Sequence, residues 1–231
     1  MSDFIQFGSK KICYTLIYSD RKSLGITVTP QSDVLVKAPL NASIEKIQEK
    51  LQKRAPWIIK QQSYFLSFHP RVTDKRYVSG ETHLYLGRQC QLKIVFSDEN
   101  RVKLLGAYLI VYTQNKEKCQ SLVKQWYLAH AKVRFELIAK PIIEKFLQEK
   151  VRPETILVRE MSLRWGSCTP NGKILLNPEL IKAPKGCIEY VIIHELCHLV
   201  HRDHSPAFFQ LQARYMPNWE KWKEKLERLM A

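Results

Sequence analysis

In the run CIEYVIIHELCHLVH, residues 187–201, two histidines stand four residues apart with a glutamate directly after the first. Positions four apart on a helix project from one face about a turn from each other, so His194 and His198 can share one tetrahedral zinc ion. Glu195 is then placed to take a proton from a water that the ion has acidified to a pKa of about 7, which makes that water a usable nucleophile. Ile188, Ile192, Leu196 and Leu199 fall on the far side by helical phase, predicting a buried helix with its histidine face open to a cleft. Cys197 lies to one side of that face and reads as core packing. An accidental cluster satisfied by internal hydrogen bonds is the competing reading; three fixed positions in an apolar frame argue against it.

A catalytic zinc keeps three protein ligands and one open position. On a straight helix His201 would share the face of His194 but sit about 10 Å further along the axis, too far to reach the same ion. His204 comes within reach if the chain turns between His198 and His201. The stretch HRDHSP supplies the means, with Ser205 as a cap and Pro206 as the first residue of a new helix. In proteases of the metzincin type a glycine stands where this chain has His201, so the turn has to be made without that freedom. His204 is therefore favoured over His201, and a carboxylate of the last helices, Glu220 or Glu224, is a third candidate.

Two further segments could complete a site. In RWGSC, residues 164–168, Arg164 can stabilise an oxyanion or grip a carboxylate or phosphate, while Trp165 can wall the cleft. The structural alternative is a corner in which Gly166 permits a close backbone approach, Trp165 is core and Cys168 is an apolar filler rather than a nucleophile. The strand KILLN, Lys173 to Asn177, is the expected edge along which an extended substrate would pair; the alternative is an ordinary hairpin strand fully paired on both sides.

The elements that must position these residues follow from periodicity. Up to Val36 the chain alternates as strands do, with Gly25 and Pro30 nearby, predicting a small antiparallel meander. Asn41 or Ser43 can cap a helix carrying Ile44, Ile47, Leu51, Ala55, Ile58 and Ile59, with Pro56 as a kink or break. Strand patterns return from Tyr77 to Thr113. From about Glu117 the period becomes helical, with Leu122, Trp126, Ala129, Val133 and Leu137 as the apolar stripe and an end near Pro141. TILVREM, LRWGSC and KILLN are short strands, the last two joined as a β-hairpin with Asn171 and Gly172 in its turn. Helices follow from about Pro184 to His201 and over SPAFFQLQARYMP and WEKWKEKLERLM. The fold class is α+β: a β-rich amino-terminal domain with one long helix, residues 1–115, and a carboxyl-terminal domain, residues 116–231, that holds the HExxH helix and the hairpin.

RWGSC followed by a short hairpin, LNPEL, HELCH and HSPAFF resembles the YgjP-like metallopeptidase family. RKSLGITV, VLVKAPL, the Pro-Trp pair at 56 and 57 and the YLG at 85–87 extend the resemblance to the amino-terminal half. Phe209 departs from it, standing where the family carries tryptophan. The resemblance implies a zincin-type catalytic domain related to the SprT-like proteases, with His194, His198 and His204 as zinc ligands and Glu195 as the catalytic acid and base.

Composition bounds the rest. A hydrophobic fraction of 45% excludes disorder. The chain start lacks a signal-peptide pattern and no apolar run reaches about 20 residues, so no membrane role is expected. Six scattered cysteines without a CxxC pair fit reduced thiols in a cytoplasmic protein. Lys plus Arg exceed Asp plus Glu by 37 to 22, a net charge of +15 that would favour nucleic acid, nucleoprotein complexes or acidic partners beside a protein or peptide substrate. Peptide-bond hydrolysis leads. A metal-dependent nucleotide or phosphoanhydride hydrolase is the second reading, although the Asp-rich magnesium site of that chemistry is absent. A DNA- or nucleoprotein-associated module with a structural metal is the third, and Glu195 argues against it because a structural site needs no base.

Overall fold

The computed structural model describes residues 2–8, 10–29, 33–66, 75–161 and 164–230; Pro30 and Leu163 lie outside them. The fold is mixed α+β, β-rich at first and helical later. Two compact units divide between Thr73 and Asp74.

The first unit is a four-stranded sheet and one helix. Strands β1 (Ser2–Phe7), β2 (Lys10–Ser19), β3 (Gly25–Val28) and β4 (Val34–Pro39) lie in the order β1-β2-β4-β3. β2 and β4 run parallel, so the expected simple meander is replaced by a crossover that leaves β3 at the edge. Helix α1 (Ile44–Leu66) starts directly after Ser43 and continues through Pro56 without a break. Ile47, Leu51, Ala55 and Ile58 bury its inner face with Ile12, Leu16, Val34 and Val36, which forms a core of its own.

The second unit opens with the same strand plan. Strands β5 (Thr82–Tyr85), β6 (Arg88–Val95), β7 (Arg101–Leu105) and β8 (Tyr108–Tyr112) lie in the order β5-β6-β8-β7, again with the second and fourth parallel. Helix α2 (Cys119–Phe146) follows and passes through Pro141 rather than ending there. Its buried face is Val123, Trp126, Tyr127, Ala131, Phe135 and Ile138; of the expected stripe Trp126 is buried and Leu122 packs against the core, whereas Ala129, Val133 and Leu137 are exposed. The expected boundary before residue 116 is corrected by this packing. Tyr85, Leu92 and Val111 share one core with α2 and the later helices. The N–H groups of Leu86 and Gly87 donate to the carbonyls of Ile181 and Lys182, and the Tyr127 hydroxyl donates to the carbonyl of Leu84.

Behind α2 comes a small sheet of β9 (Thr155–Val158), β10 (Gly166–Cys168) and β11 (Lys173–Leu176). β10 and β11 form the expected antiparallel hairpin, with Gly172 at φ +77° in its turn, a conformation that favours glycine. β9 pairs parallel to the other side of β11, so β11 is the central strand and not the expected edge. A 3-10 turn, Pro178–Lys182, leads into α3 (Lys185–Val200), α4 (Pro206–Tyr215) and α5 (Trp219–Met230). At Gly186 a Cβ would lie 2.5 Å from the Trp222 ring, which shows how closely α3 and α5 pack. No helix among the described residues is long and apolar enough to cross a membrane.

Candidate metal centre

Helix α3 is buried over most of its circumference. Ile188, Ile192 and Leu196 are inaccessible, as helical phase predicts, and Leu199 packs half-buried against the same core while also lining the cleft. Cys197 is fully buried. The helix stops at Val200 because His201 adopts an extended conformation, φ −124° and ψ 113°, while its N–H still donates to the Cys197 carbonyl at 2.8 Å. That turn needs no left-handed residue, which explains how the chain dispenses with a glycine there. Ser205 precedes Pro206 at the start of α4 as expected, but its side chain makes no capping hydrogen bond.

The turn brings His204 back over α3. One ring nitrogen each from His194, His198 and His204 lies within 4.8 Å of the others, an arrangement that could hold one metal ion. Nε2 of His204 is 3.1 Å from Nε2 of His194. The second nitrogens are tied down behind them. Nδ1 of His194 lies 3.0 Å from Oε1 of Gln212, and Nδ1 of His198 lies 3.2 Å from the carbonyl oxygen of His201. Both partners are acceptors, so the protons sit on Nδ1 and the Nε2 lone pairs face the cluster. Burial pulls His194 down to about 4, with the His198 and His204 charges adding to it against the Gln212 hydrogen bond; burial also lowers His198. These two rings are neutral at pH 7, the form that ligates. The donor set therefore fits a metal. His201 contributes its main chain rather than its ring, and Glu224 is engaged with Arg228.

Phe208 and Gln212 are the residues that motif reading missed. They stand four apart on α4 and both are fully buried. The Phe208 ring lies 5.0, 4.7 and 4.8 Å from the rings of His194, His198 and His204, so one apolar face supports all three. The only hint in the sequence is their i, i+4 spacing behind the Ser205-Pro206 helix start.

Glu195 is 6% exposed. Burial raises its carboxyl to about 7, opposed by the Arg164 charge and by the backbone N–H of Cys168, which donates to it. β10 can lie this close because residue 166 is glycine: a Cβ there would meet Glu195 Oε1 at 2.6 Å and Val191 Cγ1 at 2.8 Å. The N–H of Thr169 donates to Lys173 and that of Asn177 to Trp165, so residues 165 and 169 face the hairpin partner. By antiparallel alternation the main-chain groups of Gly166 and Cys168 face the other way, along the cleft.

That cleft has a volume of about 600 Å³, and Arg164, Cys168, His194, Glu195, His198 and His204 are among the residues around it. Cys168 has its thiol raised by burial, which disfavours a nucleophilic thiolate. The remaining sequence candidates lie elsewhere. Trp165 packs on the hydrophobic core instead of walling the cleft. Lys173 pairs with Glu154 at 3.4 Å on the central strand. Asn177 is buried, donates to the carbonyls of Met161 and Arg164 and accepts from the N–H of Glu179, so it anchors the segment that carries Arg164 and cannot meet a substrate.

Comparison with known proteins adds the following. The YgjP-like metallopeptidase domain matches residues 22–229. No curated protein matches. Among solved structures, the crystal structure of the metallopeptidase zymogen abylysin from Pyrococcus abyssi is similar, with 25% identity over 46% of this chain and 90% of that chain and a TM-score of 0.32.

Proposed function

Since the chain belongs to the YgjP-like metallopeptidase family, we propose that it cleaves peptide bonds with one zinc ion held by His194, His198 and His204 and with Glu195 as the general base. The observation that carries this reading is the convergence of three imidazole nitrogens, two of them with their Nδ1 atoms already committed to acceptors, beside a buried carboxylate. Three imidazole nitrogens suit zinc better than the oxygen-seeking magnesium or calcium. Zinc bound there supplies Lewis acidity, polarising a carbonyl and acidifying water.

The chain's own residues do the rest. The Glu195 carboxylate accepts the proton of the attacking water and returns it to the leaving amine. The Cys168 N–H and the Arg164 guanidinium favour the ionised form of Glu195 and partly offset the burial that raises its carboxyl to about 7. Along β10 the outward main-chain groups of Gly166 and the Cys168 carbonyl, the Cys168 N–H being engaged with Glu195, offer hydrogen bonds to an extended substrate, so the substrate edge is β10 and not the Lys173 to Asn177 strand. Phe208 keeps water from the back of the histidines. The six cysteines, all unpaired, accord with a cytoplasmic setting.

Glu195→Gln tests the mechanism. The variant should bind one equivalent of zinc by metal analysis, while its cleavage of denatured casein falls by about 10²- to 10⁴-fold. Cleavage at the wild-type rate would remove Glu195 from the reaction.

A further inference from the structure

We infer that the cleft selects acidic peptides, with Arg164 and Arg202 receiving carboxylate side chains near the scissile bond. The inference rests on the peptidase reading of the same site and names its substrate class.

It starts from the charges around the cleft. Arg164 enters from the segment that leads into β10, and Arg202 from the turn between α3 and α4, directly after the His201 cap and two residues before His204. Among the described residues the sole carboxylate lining the cleft is Glu195, which is buried. Asp203 follows Arg202 in the chain but is not part of the cleft wall.

Both guanidiniums are exposed, and neither makes an ion pair within 4.0 Å among the described residues. Elsewhere in the same unit Arg101 pairs with Glu99, Arg214 with Glu149 and Arg228 with Glu224. At the mouth of the candidate metal centre these two positive charges face no carboxylate but Glu195 among the described lining residues, and a bound dication would add to them. A planar guanidinium takes a carboxylate by two parallel hydrogen bonds, and two of them above a low-dielectric cleft repel a basic substrate as well as attract an acidic one. The row of main-chain groups on β10 suits an extended peptide better than a compact phosphate compound.

The test separates affinity from turnover. Zinc-loaded Glu195→Gln is titrated by fluorescence anisotropy with short labelled peptides of one frame, carrying Asp and Glu, Asn and Gln, or Lys beside the intended cleavage point. The acidic peptide should bind about tenfold more tightly than the amide one, equivalent to about 1.4 kcal/mol, and the lysine peptide more weakly than both. The preference should shrink as salt rises from about 0.1 M to about 1 M, where the screening length falls from about 10 Å to about 3 Å. Arg202→Glu should abolish the preference and Arg202→Lys should keep part of it.

Equal binding of the three peptides, or a preference untouched by Arg202→Glu, overturns the inference. Wild-type turnover on the same set is read separately. Preferential binding of the acidic peptide with no peptide cleaved would uphold acid selection and remove the peptidase reading; equal cleavage of all three would do the reverse. A nucleoside triphosphate that displaces the acidic peptide and is itself hydrolysed would overturn both.

Discussion

His194 is steered by Gln212, eighteen residues further along the chain, through a 3.0 Å contact between Nδ1 and Oε1. The amide nitrogen of Gln212 is buried without a partner, so the side chain is held there for what its oxygen does. Gln212→Leu should therefore weaken zinc binding by about 10- to 100-fold in a chelator competition while the metal-free protein melts at nearly the same temperature, and Gln212→Glu, which keeps the acceptor, should restore affinity. Unchanged affinity in the leucine variant would make Gln212 a packing residue only. Glu195 gives a prediction with a defined pH window. Its folded pKa, about 7, lies above the ordinary 4.5, so the folded state favours the protonated form. The stability this confers is complete below 4.5 and lost as pH rises through 7. A glutamine at this position stays neutral throughout. Metal-free Glu195→Gln should match the wild type in urea at pH 4 and exceed it by up to about 3 kcal/mol above pH 7; a constant difference across that range would mean that the carboxyl is not raised.

At the scale of elements, the site depends on where α3 stops and how near β10 comes. Gly166→Ala places a methyl group against Glu195 and Val191, and such overpacking costs about 1–3 kcal/mol. The variant should lose stability to urea and most of its turnover while keeping its zinc, because none of the three histidines lies on β10 or meets the added methyl group directly. The extent of α3 was legible to within a residue at each end, since an apolar frame, a preceding proline and the HRDHSP turn all point to the same boundaries. Its neighbours were less so. Pro141 is a local stop signal costing about 3 kcal/mol in a helix interior, yet α2 continues, because Ile138, Ala139 and Phe146 are buried on both sides of it. The edge position of KILLN was misread for a different reason. Whether a strand is central depends on a partner arriving from elsewhere in the chain, and the parallel pairing of β9 leaves no trace in the alternation of β11. Phe208 and Gln212 escaped for the same cause: their importance arises where α4 meets α3.

Over the whole molecule the chain holds two separate cores, and every residue assigned to the reaction belongs to the unit Asp74–Met230. The sequence boundary failed here because the second sheet looks, strand by strand, like the first; only its burial against α2 and the 3-10 turn before α3 assigns it to the later unit. The net charge of +15 is spread along the chain and by itself selects no partner, whereas the two unpaired arginines at the cleft do. The account as a whole depends on three histidines of one unit, and not a fourth, holding a single ion. Metal analysis of the purified chain beside His204→Ala and His201→Ala tests this most directly. One equivalent of zinc in the wild type and in His201→Ala, with loss in His204→Ala, is the predicted result; zinc retained in His204→Ala and lost in His201→Ala would contradict it.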